Sequence, residues 1–129
     1  MINKPSDAVQ TAKVLITDYM KEHIIGIYLN TRMDPLHVEL ISLGTVNASI
    51  CHPREVFKPA LVNSACSVIL LHNHPSGDVT PSEGDLEVTQ RLKKAGDILG
   101  IELYDSIIFK KDEGFYSFKE ANLLKGGAK

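Results

Sequence analysis

His72-Asn73-His74-Pro75-Ser76-Gly77-Asp78-Val79-Thr80-Pro81-Ser82-Glu83-Gly84-Asp85 brings two imidazoles, a hydroxyl and a carboxylate into one short segment. Two histidines and an aspartate are three ligands of the types zinc accepts. Three protein ligands leave a fourth position for water, the arrangement of a catalytic rather than a structural zinc. Working outward, Ser67-Val68-Ile69-Leu70-Leu71 runs straight into His72. It is short, apolar and β-rich, as expected of a strand buried on both faces. Side chains alternate along a strand, so His72 and His74 project to one side and Asn73 to the other. Pro75, Gly77 and Pro81 break the chain into a loop, and Ser82 is placed to cap a following helix. In that helix Val88, Leu92, Ala95 and Leu99 form an inward stripe, which Asp85 extends toward the N-terminus. A carboxylate on a buried face is costly unless it is paired, hydrogen-bonded or bound to metal. Ser82-Glu83-Gly84-Asp85 also reads as a capping box, with Asp85 steadying the helix start. With His-x-His just upstream, ligation is the stronger reading, and Ser82 can cap while still facing the site.

The spacing His-x-His, seven residues, Ser, two residues, Asp resembles the JAMM motif of the MPN-type zinc metalloproteases. Gly44-Thr45-Val46-Asn47, His52-Pro53-Arg54-Glu55-Val56, His72 to Asp78 and Pro81-Ser82 narrow the likeness. Together they resemble the RadC family, the bacterial branch historically labelled DNA repair, from about Pro5 to Leu124. The resemblance implies that His72, His74 and Asp85 bind Zn2+ and that Ser82 assists the tetrahedral intermediate. It also implies an upstream glutamate as general base, five residues before the Gly-Thr pair, which is Glu39 here. The family pattern has an Asp-His pair where this chain has Asp105-Ser106. That departure leaves the three ligands untouched and bears on activity.

Leu36 to Leu43 reads as a strand with Ile41 and Leu43 on the side of Glu39, and Leu36, Val38 and Leu40 on the other. An acid among such neighbours is expected to be desolvated, with its pKa raised toward the range useful to a general base. His37 on the same face argues instead for a paired or solvated glutamate on an edge strand. Glu55 is the rival base, early in a helix beginning at Pro53, where acids are common because they suit the helix dipole. The residues alone leave the two even, and the resemblance favours Glu39.

The remaining pattern is α/β, a mixed β-sheet flanked by helices, because hairpin-like turns and helical crossovers both occur. The resemblance gives this the MPN/JAMM-like (cytidine-deaminase-like) architecture. Ser6 is expected to cap a helix reaching about Met20, with Val9, Ala12, Ile16 and Tyr19 as its stripe. Ile24 to Leu29 is a strand, and residues 30–35 turn into the Glu39 strand. Helices run from Pro53 to about Asn63 and from Ser82 to Leu99, the second stopped by Gly100. Ile101 to Phe109 and Phe115 to Phe118 read as strands, and Glu120 to Leu124 as at most a short helix. His23 is expected to be exposed, His52 to enter a helix, and Asp78 to shape a turn as a reserve ligand. The 129 residues suit one RadC-like domain, 1–129, with a frayed tail over 125–129 and no room for a helix-hairpin-helix module.

Composition excludes several classes. A hydrophobic content of 43% and a charged content of 23% are ordinary for a soluble domain. Cys51 and Cys66 make neither a disulfide framework nor a thiolate zinc site. No leader or membrane span is legible, so the cytoplasm is the expected location. A net charge of −2 gives no pull toward nucleic acid, and no strong binding to it is expected. Lys93, Lys94, Lys110 and Lys111 read as solvated faces. The adjacent letters His72-Asn73-His74 lack the spread of the nucleases that share that name. In the His72 motif the chain has His74 where zinc deaminases have the Glu of H-x-E, and their Cys-x-x-Cys, the H-E-x-x-H helix and the phosphate loop are missing. The reading is a zinc-dependent hydrolase of peptide or isopeptide bonds, with a protein or peptide substrate. The alternative is a DNA-repair-associated binding module with a non-catalytic or vestigial metal, and a metal-dependent nuclease is weaker still.

Overall fold

The two most continuously apolar runs, Ile24 to Leu29 and Val68 to Leu71, lie side by side at the centre of a five-stranded sheet. The computed structural model describes residues 1–43 and 51–124. Its strands are β1 (His23–Leu29), β2 (Pro35–Leu43), β3 (Ser67–Asn73), β4 (Glu102–Phe109) and β5 (Phe115–Ser117). Its helices are α1 (Pro5–Lys13), α2 (Pro53–Val62) and α3 (Glu83–Leu99). The strand order is β2-β1-β3-β4-β5. β3 and β4 are parallel, with α3 between them in the chain, and the other neighbours are antiparallel. This is the mixed α/β sheet expected.

Alternation divides the central strands between two cores. Ile24, Tyr28, Val68 and Leu70 pack on one face against Val56, Phe57 and Ala60 of α2 and Val88 and Leu92 of α3. Ile25, Ile27, Leu29, Ile69, Leu71, Ile107 and Phe109 pack on the other against Ala8, Val9 and Ala12 of α1. The chain is therefore a sheet with helices on both faces. Gly96 lets α3 approach closely, since a Cβ there would lie 2.3 Å from the Ile101 carbonyl oxygen and 3.2 Å from the Phe57 ring. Gly100 stops the helix in the left-handed region at φ 76°.

The first helix is shorter than the apolar stripe predicts. Pro5 opens it at the first turn, and the Asp7 carboxylate, rather than Ser6, accepts the Asn3 and Lys4 amides. It ends at Lys13, where Val14, Ile16 and Thr17 bring β-branched crowding. The Asp18 side chain then turns the chain by accepting the Met20 amide. Ile16 and Tyr19 still pack on the α1-side core, from irregular chain. Residues 118–122 form hydrogen-bonded turns rather than a terminal helix. The Gly44 to Asn47 motif and the 125–129 tail lie outside the described residues.

Candidate active site

β3 delivers the histidines as alternation requires. His72 is paired with Ile24 on one side and Ile108 on the other, and His74 stands just past the strand end, its amide donating to the Phe109 carbonyl. The loop then aims His74. Its Nδ1 lies 2.7 Å from the Asp78 carbonyl oxygen. A carbonyl only accepts, so Nδ1 carries a proton, and Nε2 is the ring nitrogen turned inward, donating to Asp85 when the ring is protonated and offering a lone pair when it is neutral. Asp78 thus acts through its backbone. Its carboxylate accepts the Thr80 amide and is held below its ordinary pKa by hydrogen bonds from Thr80.

The third group comes from the start of α3. Ser82 is the N-cap: its Oγ accepts the Asp85 amide at 3.0 Å, and Asp85 Oδ2 accepts the Ser82 amide at 2.9 Å. The two readings of Asp85 are therefore compatible. The same carboxylate places Oδ1 3.1 Å from His72 Nε2 and Oδ2 3.1 Å from His74 Nε2, and the two Nε2 atoms are 3.1 Å apart. Burial pushes the Asp85 carboxyl up, but bonds and charge from the imidazoles and the Ser82 amide outweigh it. The group is held well below the usual carboxylate range. Its hydrogen bond to His74 raises that imidazole against the lowering effect of burial.

This donor set fits zinc. Three nitrogen and oxygen donors about 2.0–2.1 Å from one tetrahedral ion stand roughly 3.3–3.4 Å from each other. The two Nε2 atoms at 3.1 Å stand close to that spacing, and each has a different Asp85 oxygen at 3.1 Å. A second carboxylate lies alongside: a Glu22 oxygen and the ring nitrogens of His72 and His74 fall within 4.8 Å of one another. Asp85 contacts the imidazoles at 3.1 Å from the start of α3, and Glu22 is a further, half-buried carboxylate within reach of the same pair.

Glu22 is the residue that the sequence reading missed. Ile24 pairs with His72 and Ile25 with Leu71. Continuing that register by two residues sets Glu22 opposite His74. The signal was an acid immediately ahead of a central strand, and only the pairing of β1 with β3 makes it visible. His23, expected at the surface, is instead fully buried, its amide donating to Asn73 Oδ1.

Glu39 needs a correction of environment. β2 is the outer strand of the sheet, so Glu39 is not desolvated among apolar neighbours. Its side chain stays 42% exposed and pairs with His37 Nε2 at 2.8 Å. It shares the sheet face of His72, but β1 lies between the two strands. Glu39, His37, Glu55, Lys58 and Asn63 line a separate groove of about 510 Å³ between β2 and α2. Glu39 and Glu55, the two candidate bases of the sequence, therefore share a groove that His72 and His74 do not line.

The other residues singled out have structural partners. His52 is the N-cap position of α2, and its carbonyl accepts the Glu55 amide. Asp105 is buried and accepts from the Ser106 amide, the Ser117 hydroxyl and the Lys119 amide, tying β4 to β5. Burial still pushes its carboxyl up. Ser106 faces α3, where its Oγ accepts from the Thr89 hydroxyl. Cys51 is buried, its thiol pushed up to about 11 by desolvation, while Cys66 is exposed, and neither is disulfide-bonded. No helix among the described residues is long and apolar enough to cross a membrane.

The family described as RadC-like JAB domain matches residues 2–123. A UPF0758 protein of Chlorobium chlorochromatii (strain CaD3) is 50% identical over 109 residues, covering 84% of this chain and 49% of the relative. One from Geobacillus sp. (strain WCH70) is 48% identical over 120 residues, covering 93% of this chain and 53% of the relative. One from Rubrobacter xylanophilus (strain DSM 9941) is 45% identical over 124 residues, covering 96% and 54%. The chain spans about half the length of the curated relatives it matches.

Proposed function

This chain belongs to the RadC-like JAB domain family, and from that premise we propose that it is a zinc-dependent hydrolase of peptide or isopeptide bonds. The observation that carries the reading is the convergence of His72, His74 and Asp85 at 3.1 Å with Glu22 beside them. His72, His74 and Asp85 would hold Zn2+. When bound, zinc polarises a carbonyl and lowers the pKa of its water from about 15.7 toward about 7.

The protein's own groups divide the remaining work. Glu22 is the acid placed to take a proton from water at the histidine pair and return it to the leaving amine. Glu39 is the competing base, on the right face of the sheet but one strand further out. The Ser82 hydroxyl uses its lone pair on the Asp85 amide, which leaves its own proton for the oxyanion. Asp85 and the Asp78 carbonyl keep both imidazoles oriented before substrate arrives.

Elemental analysis of protein purified without chelator, followed by a panel of peptide, isopeptide and nucleic-acid substrates, tests the proposal. About one zinc per chain and amide cleavage are expected. Protein that neither carries zinc nor takes it up on titration would overturn the reading. Cleavage of nucleic acid alone would move it to a nuclease, and submicromolar, steeply salt-dependent DNA affinity to a binding module.

A further inference from the structure

Between Lys13 and His23 the chain has no helix or strand, so no regular ladder fixes the backbone of Glu22. Two fully buried side chains do so instead. Asn73 Oδ1 accepts the His23 amide at 2.8 Å, and its Nδ2 donates to the carbonyls of Lys21 at 3.0 Å and Tyr19 at 3.4 Å. The reverse amide orientation would set oxygen against both carbonyls, so the network fixes the assignment. His23 Nδ1 lies 2.9 Å from the same Lys21 carbonyl and must be the protonated nitrogen. Its Nε2 then accepts the Thr17 amide at 3.4 Å. The Lys21 carbonyl is thus gripped by two donors, and the next residue is Glu22.

We propose that Asn73 and His23 are positioning residues that set the Lys21–Glu22 peptide, and through it the Glu22 carboxylate, against His72 and His74. This rests on the reading of Glu22 as the working acid of a metal site. The same strand alternation that sends His72 and His74 to one face sends Asn73 to the other. One tripeptide therefore holds the metal with its outer residues and aims the base with its middle one. A misplacement of about 1 Å far from the chemistry lowers a rate by about 10²-fold, so such a clamp is consequential.

The test uses the full chain loaded with cobalt(II), whose visible spectrum is followed against pH. Asn73→Asp keeps the acceptor for the His23 amide but sets a carboxylate oxygen against the two carbonyls. His23→Gln loses the Nδ1 donor, and His23→Asn keeps a donor at that place. All variants are expected to take up about one cobalt. Glu22→Gln removes a negative charge, so the spectral midpoint moves down by about one pH unit. Asn73→Asp and His23→Gln should move it in the same direction, His23→Asn should restore the parental profile, and Asn73→Asp should add nothing to Glu22→Gln. Parental profiles for Asn73→Asp and His23→Gln, or a further shift on the Glu22→Gln background, would overturn the clamp. If Asn73→Asp fails to fold, the His23 pair decides. A parent that takes up no cobalt overturns the metal reading itself, and a Glu22→Gln profile like the parent's overturns the role of Glu22, each separately from the clamp.

Discussion

Among the described residues Glu39 and Asp85 both pair with histidines, and the closer contact is the weaker candidate. Glu39 meets His37 at 2.8 Å on the outer strand, where both side chains remain about two-fifths exposed. Asp85 meets His72 and His74 at 3.1 Å and is 9% exposed. Water screens the first pair, which is worth at most about 1 kcal/mol. In the second, one carboxylate answers two imidazoles, caps a helix and is withdrawn from solvent. A contact distance alone does not make a site. Convergence of several donors on one point, away from water, does.

The sharpest attempt to break that contrast is Asp85→Ala. Zinc retention should be abolished, read by elemental analysis after dialysis, whereas Asp78→Ala should retain zinc because its carbonyl does the work. Equal losses would show that the wrong carboxylate was chosen. Next in size is the choice of base. On any amide substrate that the panel yields, Glu22→Gln should lower kcat by about 10²- to 10⁴-fold with a smaller change in KM. Glu39→Gln and Glu55→Gln should stay within a few-fold, with zinc content intact in all three. The reverse ranking would make the β2–α2 groove the working face.

Metal addition should also separate the two regions. With free zinc at about 100 times Kd, stability should rise by about 2.7 kcal/mol, seen as a higher Tm. Asp85→Ala should lose that increment and His37→Ala should keep it. The smallest effect is that of His37→Ala itself: a loss of about 0.2–1 kcal/mol in a urea titration that fades with added salt. A larger, salt-insensitive loss would mean that the outer pair is coupled to the core.

Legibility followed locality. His72, His74 and Asp85 could be read because strand alternation and a helical stripe act within a few residues. Glu22 could not, because its neighbour His74 is found only through the β1–β3 register. His23 escaped for the same reason: its burial depends on Asn73, fifty positions away. The desolvation expected of Glu39 is not found, because apolar residues on both sides of a strand suggest a central place and only topology shows β2 outermost, as the edge-strand reading had it. The α1 stripe overran because Ile16 and Tyr19 reach the core without being helical.

The capping box at Ser82 and Asp85 has a consequence for the order in which the site is built. The inner donors span only thirteen positions, from 72 to 85, so bringing them together closes a short loop at small entropic cost. Glu22 joins from fifty positions before His72 and arrives only when β1 docks on β3. In the proposed site, holding an ion and using it would therefore mature at different moments. The β3–α3 segment can assemble its grip early, while the acid that gives the grip a chemical purpose is withheld until the sheet is complete.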